Sequence, residues 1–101
     1  MFIVTEKTTP AGQVILVITD SELVGKVFTE GNKQLDLSKD FYKGEEKTRE
    51  EIVKILKEEN NVNMIGKEII KIALEEGFIN EEEVIKVQGV PHAQMYNVCE
   101  G

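Results

Sequence analysis

The sequence has few or none of several residue types and patterns, and each absence excludes a class of protein. It contains no tryptophan, two prolines, one histidine and one cysteine, Cys99, among 101 residues. A single cysteine cannot form an internal disulfide, which fits a reducing cytoplasm. The longest apolar run, residues 14–18, is far shorter than the roughly 20 residues that span a membrane. The first six residues show no secretory signal, so we expect a cytoplasmic protein outside the membrane.

Positive charge is also scarce. The chain has 19 acidic and 12 basic side chains, a formal net charge of −7, and a single arginine among its basic residues. Proteins that grip nucleic acid broadly do so by neutralising phosphates, for which arginine supplies the two-pronged contacts. The composition therefore carries no strong signal for direct nucleic-acid binding, although a small basic patch stays compatible with it.

The length and composition predict one globular domain over residues 1–101, since 41% of the residues are hydrophobic and 31% are charged. The first half is typical of strands. Residues 2–6 and 13–19 flank a turn with Pro10 and Gly12, which predicts a hairpin, and residues 14–18 predict a central strand covered on both faces. A second hairpin is expected over residues 26–37. Its inward candidates are Val27, Leu35 and Leu37.

The middle of the chain predicts two helices. Thr48 and Glu51 match a capping box ahead of an apolar stripe, so a helix is expected to begin there. Asn63 is the expected N-cap of the second helix, which ends at Gly77. Gly66 would then lie inside this helix at a cost of about 1 kcal/mol, which indicates a close approach by a packed strand or a ligand.

Shorter elements complete the expected architecture. Asp20 is the expected cap of one helical turn, residues 40–44 predict a turn held by Phe41 and Tyr42, and residues 84–87 and 92–98 predict the last strands. We therefore predict an α+β fold: N-terminal strands and hairpins, two central helices, and C-terminal strands packing in one mixed sheet.

The most distinctive candidate for chemistry is the segment Gly89-Val90-Pro91-His92-Ala93-Gln94. Pro91 restricts the backbone before His92, which would place that histidine in a defined direction at the start of a strand. In a regular strand His92, Gln94 and Tyr96 share one face. His92 would serve as an acid, a base or a ligand there, or it would hold a neighbouring turn by a hydrogen bond, and the sequence leaves both interpretations open.

Three other side chains are candidate contacts. Lys26 and Glu30 lie near tight bends, where a phosphate or an amine would meet them, although solvent-facing charges are the more ordinary interpretation. Asn63 is a contact candidate besides its expected capping role. An acidic cluster surrounds Gly77, where a basic partner would dock or water would solvate the charges. It comprises Glu75, Glu76, Glu81, Glu82 and Glu83.

No cofactor or metal is expected. The eight glycines never approach the spacing of a phosphate-binding loop. Catalytic zinc needs three protein ligands, whereas His92 and Cys99 fall on opposite faces of a regular strand. The same parity argues against a Cys-His nucleophilic pair.

Several segments together resemble a family of small archaeal proteins, domain-of-unknown-function family 424. Its most specific signature is Val90-Pro91-His92-Ala93-Gln94, and the resemblance spans nearly the whole chain. The resemblance implies a cytoplasmic α+β protein with a loose association with archaeal information processing, and it implies no catalytic residues. The weaker matching motifs are Leu23-Val24-Gly25-Lys26, Phe28-Thr29-Glu30-Gly31, Phe41-Tyr42-Lys43-Gly44, Asn63-Met64-Ile65-Gly66 and residues 73–77.

The sequence leaves three hypotheses about function. The first is a non-enzymatic binding or adaptor module that docks on a protein or ribonucleoprotein partner in translation or RNA processing, with His92, Gln94, Tyr96, Lys26 and Glu30 as contacts. The second is a small enzyme in which His92 is the general acid or base and Glu30 or Asn63 orients it. The third is a homo-oligomer whose last strands pair across an interface.

Overall fold

The computed structural model describes residues 1–37 and 44–96. Within them the chain forms strands and two α-helices, together with single turns of 3-10 helix at Ser21–Leu23 and Glu81–Glu83. The elements in chain order are β1 (Phe2–Thr8), β2 (Val14–Asp20), β3 (Val27–Glu30), β4 (Lys33–Asp36), β5 (Glu45–Lys47), α1 (Arg49–Glu58), β6 (Asn61–Ile65), α2 (Lys67–Glu75), β7 (Ile85–Val87) and β8 (Val90–Tyr96).

A six-stranded mixed sheet in the order β5-β1-β2-β6-β8-β7 organises the molecule, and β3 and β4 form a separate hairpin. Strands β2 and β6 are parallel to each other, whereas every other neighbouring pair in this sheet is antiparallel. The predicted α+β class with a mixed sheet is confirmed. The predicted hairpin at Pro10 and Gly12 and the central position of β2 are confirmed too, and β2 buries Val17 on one face and Ile18 on the other.

The two helices cover one face of the sheet. The Thr48 hydroxyl accepts a hydrogen bond from the Glu51 backbone N–H and the Glu51 carboxylate accepts one from the Thr48 N–H, so the predicted capping box is present. The apolar stripe of α1 buries Ile52 and Leu56 against the sheet. The α2 helix packs on β2, β6 and β8 and buries Ile69, Ile70, Ile72 and Ala73.

The β3–β4 hairpin covers part of the opposite face. Leu37, which follows β4, lies in a small apolar cluster with Val17, Ile65 and Val90. The prediction that Leu37 points inward is confirmed, whereas the same prediction for Val27 is wrong, because Val27 is 47% exposed and Phe28 packs on the cluster instead. The side chain of Leu35 lies outside the described structure.

The start of the second helix is the main correction. Asn63 does not cap it, because residues 61–65 form the central strand β6 and the helix begins at Lys67. The N-cap residue is Gly66, whose φ of 126° lies in a region that favours glycine. The cap itself comes from Asp20, whose carboxylate accepts hydrogen bonds from the backbone N–H groups of Glu68 at 2.9 Å and Ile69 at 3.0 Å.

The same geometry corrects the expected role of Asp20. The turn at Ser21–Leu23 is present, but the Asp20 side chain makes no capping hydrogen bond to it. The expected close approach at Gly66 is confirmed, because a Cβ there would lie 2.3 Å from the Asp20 carboxylate. Asp20 is 3% exposed, so its burial raises the pKa of this carboxyl above 3.8, and the two backbone hydrogen bonds oppose that rise.

The C-terminal strands follow the prediction with shifted boundaries. The chain turns tightly at Gln88 and Gly89, both with positive φ, and β8 already begins at Val90. Pro91 therefore lies within the strand, and His92 is its third residue rather than its first.

The predicted turn at Phe41 and Tyr42 and the lone cysteine lie outside the described residues. Neither helix of the described segments is long and apolar enough to cross a bilayer.

Candidate functional site

The face of β6 and β8 opposite the helices carries a group of uncharged polar side chains beside the part that the β3–β4 hairpin covers. The side chains that point to the helices are apolar, and Val62, Met64, Ala93 and Met95 are at most 5% exposed. On the other face the polar side chains lie next to Ile65 and Val90, which belong to the apolar cluster with Leu37. We call the polar group the amide face. It comprises Asn61, Asn63, His92 and Gln94.

Strand register sets the spacing of the amide face. Asn63 pairs with Gln94, and His92 pairs with Ile65 on β6 and Ile85 on β7. The Gln94 Nε2 donates a hydrogen bond to the Asn61 Oδ1 at 2.9 Å, which links the two strands diagonally. The amide face therefore presents hydrogen-bond donors and acceptors from two neighbouring strands.

The structure brings together some of the predicted contacts. His92 and Gln94 share a face as predicted, and Asn63 joins them from β6 rather than from a helix cap. Tyr96 ends β8, where its backbone pairs with Asn61, and its side chain lies outside the described structure. Sequence reasoning missed Asn61, although the alternation of asparagine with apolar residues over 61–64 is typical of a half-buried strand.

Lys26 and Glu30 belong to the neighbouring hairpin. Lys26 is exposed just before β3, and Glu30 ends β3 opposite Lys33. Among the described residues no hydrogen bond or ion pair joins either side chain to the amide face. The hairpin nevertheless influences the site through Lys33, which sequence reasoning did not select.

The electrostatics favour a neutral His92. Its imidazole is partly buried, and this burial is the larger cause that lowers its pKa below 6.5, followed by the positive charge of Lys33. No hydrogen bond links the His92 imidazole to another residue in segments 1–37 and 44–96. The imidazole is therefore neutral near pH 7, with one nitrogen able to donate and the other able to accept a hydrogen bond.

An NMR titration of the imidazole checks this assignment. We expect the His92 signals to titrate with a midpoint below 6.5. Lys33→Gln should raise this midpoint but leave it below 6.5, because burial is the larger cause of the lowered pKa. Lys26→Gln is the matched control and should leave the midpoint unchanged. A midpoint at or above 6.5 in the wild type would contradict the lowered pKa of His92.

The clefts that the described residues form lie away from the amide face. Two clefts of about 620 and 740 Å³ lie elsewhere, lined by residues outside the amide face. Within the described segments no three His, Cys, Asp or Glu side chains converge as metal ligands would. The arrangement offers hydrogen bonds on an exposed surface, which suits the recognition of a partner.

Comparison with known proteins places the chain in a family. A family model described as "Protein of unknown function (DUF424)" matches residues 8–98. The chain belongs to this family. The DUF424 match includes all of β2 to β8, and with them every residue of the amide face.

A solved structure supports the fold of this DUF424 protein. An uncharacterised conserved protein from Methanopyrus kandleri is similar with a TM-score of 0.69 and 23% identity, over 99% of this chain and 98% of that chain. At this identity the likeness concerns the fold alone. No curated protein is significantly similar to the chain.

Proposed function

We propose that this DUF424 protein is a non-enzymatic binding or adaptor module that docks through the amide face on a protein or ribonucleoprotein partner. The observation that carries the proposal is the pair of asparagines in β6. Asparagine is depleted in strands, yet Asn61 and Asn63 occupy a strand with neighbours on both sides. Valine or threonine would suit the strand better, so the amides are explained best by contacts with a partner.

The chemistry of the face favours protein groups as the immediate contact. Amides and a neutral imidazole match backbone N–H and C=O groups and uncharged side chains. The net charge of −7 opposes a broad grip on phosphates. In a ribonucleoprotein the contact would therefore be with its protein component, and a role in translation or RNA processing is part of this proposal.

The setting belongs to the proposal as well. An archaeal cell is supported by the similar structure from Methanopyrus kandleri. A cytoplasmic location is supported by the single cysteine and the absence of a long apolar segment in the sequence.

The enzymatic alternative has less support. It requires Glu30 or Asn63 to orient His92 within hydrogen-bond reach, about 2.6–3.2 Å. In the strand register Asn63 lies opposite Gln94. Within the part of the chain that the structure describes, neither Glu30 nor Asn63 makes a side-chain hydrogen bond to His92. A neutral base without an orienting group is a poor start for catalysis.

Affinity capture with matched variants tests the binding role. The tagged protein should recover a stoichiometric partner from archaeal extract, and the double variant His92→Ala/Gln94→Ala should lose most of it. His92→Ala should change the free energy of unfolding by no more than about 1 kcal/mol, because the side chain makes no bond in the described fold. Lys54→Ala/Lys57→Ala on the exposed side of α1 is the control and should retain the partner.

Each result has a distinct meaning. Loss of the partner on ribonuclease treatment would place RNA between the two proteins. Full retention by the amide-face double variant would contradict the proposal. Recovery of the protein alone would also contradict it, and light scattering would then test the homo-oligomer.

A further inference from the structure

A groove runs along the flank of α2 on the helix side of the sheet, away from the amide face. Its volume is about 740 Å³, and it lies between α2 and the edge formed by β7 and β8. Pro91 lines it, whereas His92 next to it on β8 belongs to the opposite face. The groove is therefore a separate surface, and an occupant would not compete with a partner on the amide face.

Three lysines line this groove in a strongly acidic protein. Lys67 and Lys71 lie one turn apart on α2, and Lys86 faces them from β7. All three are exposed, and none forms an ion pair with another described residue. We call this surface, defined by the three lysines, the lysine groove.

The placement of these charges opposes helix stability. Lys67 is the first residue of α2, where the positive end of the helix dipole disfavours a cation and the Asp20 carboxylate offsets part of that effect. Lys67 and Lys71 are also like charges at positions i and i+4, which repel. The carboxylates of a bound partner would offset the unfavourable dipole interaction of Lys67 and its repulsion of Lys71. An anionic occupant therefore explains the lysines best.

The floor of the lysine groove is aliphatic. It is formed by Ile70, Leu74, Val84 and Pro91, and the described lining contains no aromatic ring. A nucleobase would find nothing to stack on, whereas aliphatic side chains would bury apolar surface there. This favours a peptide over a nucleotide or single-stranded RNA.

The far end of the groove has the opposite charge. Glu75 and Glu81 line it where α2 ends, and Glu75 already pairs with Arg49 at 3.3 Å. From Lys67 to Glu75 the helix rises about 12 Å. An occupant with acidic residues toward one end and a basic residue at the other would complement the whole length.

We propose that the lysine groove binds an acidic segment of a partner protein that carries aliphatic side chains. Its carboxylates contact Lys67, Lys71 and Lys86, and its aliphatic groups lie on Ile70, Leu74 and Pro91. This inference does not depend on the role of the amide face, because the two surfaces lie on opposite sides of the sheet.

A peptide selection tests the proposal and does not require the partner to be identified first. The full chain is immobilised and a random-peptide library displayed on phage is selected on it. We expect enriched peptides that combine Asp or Glu with Leu, Ile or Val. The best peptide, labelled with fluorescein, should perturb the amide signals of residues 67, 71 and 86 in NMR spectra.

Charge reversal locates the binding site. Lys71→Glu should weaken the labelled peptide about tenfold in fluorescence anisotropy, because it replaces an attraction by a repulsion. Lys54→Glu on α1 is the matched control for net charge and should cost much less. The variant His92→Ala/Gln94→Ala should bind the peptide as the wild type does, which separates this test from that of the amide face.

Three outcomes would overturn the proposal: no enrichment, enrichment of basic or uncharged peptides, or equal losses for Lys71→Glu and Lys54→Glu. Displacement of the peptide from the groove by a labelled oligouridylate at lower concentration would show instead that the lysines serve RNA.

Discussion

Gly66→Ala is expected to lower the free energy of unfolding by about 3 kcal/mol or more. Two effects add at this position. The φ of 126° is strained for any residue with a Cβ, and that Cβ would lie 2.3 Å from the Cγ and Oδ2 atoms of Asp20. Relief would require the carboxylate to move off the α2 backbone, which breaks the cap. Urea unfolding followed by circular dichroism measures the loss.

Gly77→Ala provides the matched control. Gly77 also has a positive φ, of 77°, but a Cβ there meets no atom within 4 Å. Its replacement should cost only about 1–2 kcal/mol for the backbone conformation. Equal losses at the two glycines would contradict the role assigned to the contact between Gly66 and Asp20.

Asp20→Ala is expected to lower the free energy of unfolding by about 3 kcal/mol. The change leaves the backbone N–H groups of Glu68 and Ile69 without their acceptor, and Ile69 is fully buried. Asp20→Asn keeps one carbonyl oxygen and avoids the cost of burying a charge, so it should lose only about half as much. Urea unfolding of the three proteins measures both differences.

The pH dependence of Asp20 has a definite sign. Burial raises the pKa of Asp20 in the folded state above 3.8. Between pH 3.8 and this raised pKa, the folded state therefore binds more protons than the unfolded state. The stabilisation from this group is fully present below 3.8 and falls as the pH rises through the raised pKa. The stability of wild type relative to Asp20→Asn should therefore decrease over that window.

A double-mutant cycle connects the two positions. Asp20→Ala removes the Cγ and Oδ2 atoms that a Cβ at position 66 would overlap. Gly66→Ala should therefore cost less in the Asp20→Ala background than in the wild type. Strict additivity would show that the loss at Gly66 does not come from the overlap with the Asp20 carboxylate.

The structure brings together only some of the predicted contact residues, and the reason lies in strand pairing. The shared face of His92 and Gln94 follows from period-two alternation along one strand. Asn61 and Lys33 reach the same region from β6 and from the hairpin. No spacing along the chain reports such proximity. The lysine groove was missed for the same reason, since α2 and β7 each supply part of it.

Local sequence was sufficient for the elements whose signals lie within a few residues. The capping box at Thr48 and Glu51 determined where α1 begins, and Pro10 with Gly12 determined the first hairpin. Alternation along residues 92–95 determined which side chains share a face. These features depend on neighbours in the chain, so a single sequence is enough to predict them.

Tertiary structure decided where the second helix begins. The sequence offered Asn63 as an ordinary N-cap, but that residue lies in β6, and the cap of α2 comes from a residue 48 positions before Glu68. The Asp20 carboxylate reaches the helix only because β2 and β6 pair in parallel and end side by side. Hydrogen-bond acceptors supplied across a sheet leave no local pattern, so the assembled fold alone determines them.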